Sequence, residues 1–109
     1  MKSKVINIAA DFSPSPAGRF FPEDGDFPGQ LFRDKLLLPA LKENDVVVVN
    51  LDGTDGYGSS FLEEAFGGLV RLGYPLKVLR DKLKLESTRE SYPVRIWNYI
   101  QKADLSAQA

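Results

Sequence analysis

Residues 45–73, DVVVVNLDGTDGYGSSFLEEAFGGLVRLG, constrain the fold of this chain more than any other stretch. Four consecutive valines continued by Leu51 make an unbroken apolar run, the pattern of an interior strand covered on both faces. Asp52 and Gly53 end that run, and Gly56 and Gly58 keep the following turn conformationally permissive. A helix is then predicted from about Ser60, with Leu62, Ala65, Phe66 and Leu69 as its buried stripe. Arg71, Gly73 and Pro75 supply its stop signal. The segment is therefore strand, turn and helix, and the carboxyl end of a central strand is where α/β domains place their sites.

The remaining chain supplies partners for this unit. Val5, Ile6 and Ile8 read as an N-terminal strand. Residues 11–29 hold Pro14, Pro16, Pro22 and Pro28 with Gly18, Gly25 and Gly29, which predicts a loop or hairpin with a brief edge strand at 19–21. Phe32, Leu36, Leu37, Ala40 and Leu41 recur at helical spacing over 30–43, and Pro39 predicts a kink or break there. Residues 76–80 suit a helical turn or a strand, and Leu83 and Leu85 alternate with lysines as in a short strand. A last helix is predicted over 93–103 with Ile96, Trp97 and Ile100 inward, and 105–109 reads as a frayed tail. The order predicts a single α/β domain over 1–109: a small mixed sheet of three to five strands with helices packed against it. Gly67 and Gly68 interrupt a helix at about 1 kcal/mol each, which predicts close approach to the sheet or to a second copy.

Composition narrows the chemistry. The 109 residues contain no cysteine and no histidine, which removes thiolate and imidazole ligands, thiol nucleophiles and histidine acid–base catalysis. A formal net charge of −1 argues against a nucleic-acid or anionic-lipid partner. No run approaches the roughly 20 apolar residues of a spanning helix, and the N-terminus lacks a secretory core, so a cytoplasmic location is expected.

Each motif has a structural reading beside a functional one. Ser60 and Glu63 form S-x-x-E, the capping box in which hydroxyl and carboxylate satisfy each other's backbone amides. The same helix start favours a phosphate, bound or attached, although Asp52, Asp55, Glu63 and Glu64 surround it with negative charge. GTDGYGSS is a G-x-x-x-x-G-S-S turn in which Ser59 stands where a phosphate-binding loop needs lysine. The four carboxylates read as solvated charge before a magnesium site. Arg19 and Arg33 are candidates for a carboxylate or phosphate, or for ordinary ion pairs. Tyr57, at the tip of the turn, is an exposed aromatic anchor in one reading and packs on a neighbouring loop in the other.

The residues FRDKLLLPALKENDVVVVNLDGTDGYGSSFLEEAFGGLVRLGY, with PAGRF and PGQLFR upstream, resemble the bacterial family of small STAS-like domains of unknown function. That family is related to sulfate-transporter and anti-sigma-factor-antagonist domains, which bind other proteins and are not enzymes. In antagonists of that class a D-S-S-G turn opens a helix after a central strand, and its second serine is phosphorylated. The resemblance implies that Ser60 matches the acceptor and Ser59 its neighbour. Gly58 stands in place of the aspartate and Phe61 in place of the glycine. It also implies a histidine-kinase-like ATP-binding protein as partner.

Together these readings predict a regulatory protein-interaction domain with no catalytic residue, metal or cofactor. It docks through turn 53–64, with Asp52, Asp55, Tyr57, Gly58 and Glu64 on the docking surface and Ser60 or Ser59 as phosphorylation switch. The alternatives are a small-ligand or nucleotide-binding domain using the same helix start, and a homodimer or larger assembly subunit.

Overall fold

The β-branched run at 46–49 forms the central strand, and its register sets the rest of the sheet. In the computed structural model, which describes residues 1–108, β1 (Ser3–Asn7), β2 (Val46–Asn50) and β3 (Leu83–Glu86) lie in the order β1-β2-β3. Both pairings are parallel, with Val5 opposite Val48 and Val48 opposite Lys84. The sheet is thus parallel throughout rather than mixed, because every connection is a helical crossover.

Four helices follow from the apolar stripes: α1 over 29–43, α2 over 59–71, α3 (Leu76–Lys82) and α4 (Ser91–Gln108). A single wide helical turn, Ile8–Phe12, follows β1 and takes Ile8 out of the strand expected there. The segment 76–80 resolves as helix. The last helix begins at Ser91 and continues through Leu105 to Gln108, where a frayed tail was expected; Ala109 lies outside the described residues.

Ile6, Val47, Val49 and Leu83 are buried against the helices, together with Phe32, Leu41, Phe61, Phe66, Leu69, Ile96 and Ile100. The stripe expected on α2 therefore forms core, as do Ile96 and Ile100 of α4, while Trp97, expected inward with them, is half-buried at the core's edge. The opposite sheet face is open: Val5 is 62% exposed, and Val46 and Val48 are half-buried. Right-handed crossovers that advance across a sheet in one direction leave their helices on one side, so β2 is not covered on both faces as its valine run suggested.

Helices α1 and α2 each widen by one residue mid-way. The Leu38 amide donates to the Arg33 carbonyl, and the Gly68 amide to the Glu63 carbonyl, each five residues back. Pro39 has no N–H for the Lys35 carbonyl, and α1 answers with this wide turn instead of breaking. The loop between β1 and α1 is closed by backbone hydrogen bonds from Ala17 to Phe27, Gly29 to Gly18 and Gln30 to Arg19. Residues 19–21 form no strand within it.

Candidate functional site

The turn after β2 is built by its own backbone. The Asn50 side chain accepts from the Asp52 amide at 2.9 Å, and Gly53 and Gly56 take φ values of +94° and +131° that L side chains rarely adopt. This course folds the chain back so that Tyr57 enters the core. Its hydroxyl donates to the Leu51 carbonyl at 2.7 Å, and its ring meets Tyr92 edge-on at 5.0 Å and Phe61 at 5.8 Å. Burial pushes its phenol up to about 12. At 7% exposure Tyr57 is a packing residue, not the exposed anchor its place in the turn suggested.

Asp52 ties this turn to the segment after β3. It accepts from the Thr88 amide at 3.0 Å, from Ser87 Oγ at 3.0 Å and from Thr88 Oγ1 at 3.1 Å, and these bonds hold its carboxyl below the ordinary range. Asp55 is exposed and accepts from Ser15 Oγ at 2.8 Å. Between the two turns lies a cleft of about 200 Å³ lined by Asp52, Gly53, Asp55, Thr88, Arg89 and Tyr92. The Arg89 guanidinium sits 5.5 Å from the Tyr92 ring centre.

Helix α2 starts one residue earlier than expected. Gly58 is its N-cap, with extended backbone and no side-chain cap, so Ser59 and Ser60 are its first helical residues. Both serines are exposed, and no hydrogen bond is found for either hydroxyl among the described residues. The capping box of Ser60 and Glu63 is therefore not formed. With Ser60 already helical, its side chain cannot reach the orphan amides, and Glu63 turns to arginines instead.

Those arginines come from three places. Arg19 of the loop donates to Glu63 at 2.6 Å and to Glu64 at 3.0 Å. Arg71, two turns along α2, donates to Glu63 at 2.7 and 3.0 Å. Arg33 of α1 pairs with Glu64, donates to the Glu64 carbonyl at 3.0 Å and reaches Asp34 at 3.0 Å. Gly68 is what admits Arg33: a Cβ there would run into the guanidinium, and one on Gly67 would meet the Glu63 carboxylate. The glycine pair thus accommodates an arginine and a carboxylate, rather than the sheet or a second copy.

Arg33 and Glu64 are 6% and 7% exposed. The Arg71 hydrogen bond holds the Glu63 carboxyl below its ordinary value; burial pushes Glu64 up, but bonds from Arg33 and Arg19 outweigh it and bring it down. Glu64 is consequently not on the docking surface. Nor do the four carboxylates converge: Asp52 is held by Ser87 and Thr88, Asp55 by Ser15, and Glu63 and Glu64 share Arg19 and Arg71; among the described residues no group of three acidic side chains is placed to hold a metal.

Of the five residues expected on a docking surface, Asp55 and Gly58 are exposed, Asp52 is half-buried, and Tyr57 and Glu64 are interior. The segment from Ser87 to Tyr92, which completes the cleft, carries no local sequence signal. It is brought in only by the β2–β3 pairing. A family model described as a STAS-like domain of unknown function (DUF4325) matches residues 28–93. No curated protein and no solved structure gives a match.

Proposed function

Because the chain belongs to the family of STAS-like domains of unknown function, we propose that it is a non-catalytic regulatory domain that docks a partner protein around the start of α2. Ser60 is its phosphorylation switch. The observation that carries this reading is the pair of exposed hydroxyls of Ser59 and Ser60, without a hydrogen bond among the described residues, in the first turn of a long helix. The first amides of that helix are unpaired and its dipole favours negative charge.

The acidic neighbours weigh less against a phosphate than their number suggests. Glu63 and Glu64 lie one turn from Ser60, and three guanidiniums hold them: Arg19, Arg33 and Arg71. Phosphorylation adds about −1.5 to −2 charges one turn from the carboxylates that Arg19 holds, and the Arg19 side chain is 32% exposed. The partner is then a kinase-like ATP-binding protein that recognises the turn with Asp55, Gly58 and the unmodified serines, and releases the phosphorylated form.

The cleft at the end of β2 does not favour the small-ligand alternative. Its volume of about 200 Å³ is below the roughly 300–1,000 Å³ usual for ligand sites, and Asp52 and Asp55 oppose a nucleotide phosphate. The test is capture of partners by wild-type protein, Ser60→Asp and Ser60→Ala, with mass spectrometry of α2 for phosphate. A kinase-like partner held by wild type and Ser60→Ala and lost by Ser60→Asp is the expected result. Equal binding by all three, with no phosphate on α2, would sink the switch.

A further inference from the structure

The strongest unexplained surface is the loop before α1. Phe20 and Phe21 stand side by side at its tip, 46% and 47% exposed. They are not on a floppy segment: the Arg19 and Phe20 amides donate to Asp24 Oδ2, the Phe21 amide donates to Gln30 Oε1, and the Asp24 amide donates to the Phe20 carbonyl. Phe27 anchors the base by an edge contact with Phe12 at 5.4 Å. Glu23, Asp24 and Asp26, all exposed, follow the pair within the loop, and Arg19 is turned inward to Glu63 and Glu64. Two rigidly presented rings in an acidic field have the form of an interface anchor.

The same chain carries the complementary surface. A groove of about 330 Å³ lies between the start of β1 and the second half of α1, lined by the half-buried Leu36, the buried Ala40 and the exposed Pro39, with Lys2, Lys4, Lys35 and Glu43 beside them. Its rim is net positive where the loop is net negative. The loop closes onto the first residues of α1, at the carboxyl ends of the strands, whereas the groove flanks the amino end of β1. One copy therefore does not fill its own groove with its own loop.

We propose that the chain self-associates head to tail, the Phe20–Phe21 tip of one copy seating in the lysine-rimmed groove of the next. Such a contact is heterologous, so it propagates into short chains or closes into a ring, rather than stopping at a two-fold dimer. Attraction between an exposed acidic loop and exposed lysines is screened by salt. The tip adjoins Arg19, which pairs with Glu63 and Glu64 of α2, but neither Phe20, Phe21 nor a groove residue is one of the two serines, so different substitutions test assembly and the phosphorylation reading. An acidic tip is also unsuited to anionic membrane.

Sedimentation of the full chain over a concentration series, at low and high salt, tests this. Wild type should show mass rising with concentration, and the apparent dissociation constant should weaken by about tenfold or more at high salt. Phe20→Ser with Phe21→Ser removes the anchor; Lys4→Glu with Lys35→Glu reverses the groove. All four side chains are exposed, and Asp24, which holds the loop, is untouched. Each double variant should remain monomeric, yet an equimolar mixture should give a one-to-one complex that grows no further, because one intact loop meets one intact groove. Wild type that stays monomeric throughout, or association that survives either variant, would overturn the proposal. So would a monomer whose Phe20 and Phe21 instead drive binding to phosphatidylcholine vesicles.

Discussion

Two adjacent turns of α2 are built on opposite principles. Ser59 and Ser60 are exposed and have no hydrogen-bond partner among the described residues, while Glu63 and Glu64, one turn on, are held by guanidiniums from three parts of the chain. Nothing in the packing needs the serine hydroxyls; the loop, α1 and α2 are joined through the glutamates. The difference teaches that residues of similar appearance at a helix start can divide cleanly between a free surface and a structural knot, and substitutions should separate them.

The largest effect is expected at Arg33 and Glu64. Arg33→Ala leaves Glu64 with Arg19 and Arg71, and Glu64→Ala leaves Arg33 with Asp34 and the main-chain carbonyl of residue 64. Each removes the buried pair and should cost up to about 3–5 kcal/mol in chemical denaturation, whereas Arg33→Met with Glu64→Leu should cost much less. A small loss in the single variants would break the claim that this pair is interior. Next comes Gly68→Ala, which puts a methyl group into the space of the Arg33 guanidinium. Overpacking of about 1–3 kcal/mol should exceed the gain of about 1 kcal/mol in helix propensity. In an Arg33→Ala background the same change should turn neutral or stabilising, a double-mutant cycle that isolates the contact.

Acid should act on the knot and not on the serines. Glu63 and Glu64 titrate below their ordinary value of 4.5 in the folded chain. The stability they supply is present above about pH 4.5 and is lost as pH falls through their folded values. Thermal melts from pH 7 downward should be flat to about pH 5 and then decline, and Glu63→Gln should soften the decline. Tyr57→Phe deprives the buried Leu51 carbonyl of its donor and should cost about 1 kcal/mol. Ser60→Ala should change stability by less than about 0.5 kcal/mol. A working capping box would make that loss about 1 kcal/mol, so this smallest effect tests the free-surface half of the comparison.

Much of the frame was legible because it is local. The valine run, the apolar stripes of α1, α2 and α4, and the Gly73 stop each depend on neighbours within a turn or two, and each forms an element where expected. The capping box was misread for an equally physical reason: S-x-x-E describes what Glu63 does when nothing else is near. Here Arg19 lies 44 residues away in sequence and 2.6 Å away in space. The glycine pair at 67 and 68 signalled close approach, but the approaching group was an arginine from another helix.

By itself the sequence determined an α/β chain without thiol or imidazole chemistry, its central strand, and the place of Ser59 and Ser60 at a helix start. Only the tertiary structure decided that the sheet is parallel with one open face, that Tyr57 and Glu64 are interior, and that Thr88, Arg89 and Tyr92 complete the cleft after β2. Backbone propensity and apolar periodicity act over a few residues and are written in neighbouring letters. Ion pairing and burial depend on which distant segments the strand register brings together, and no local pattern records that.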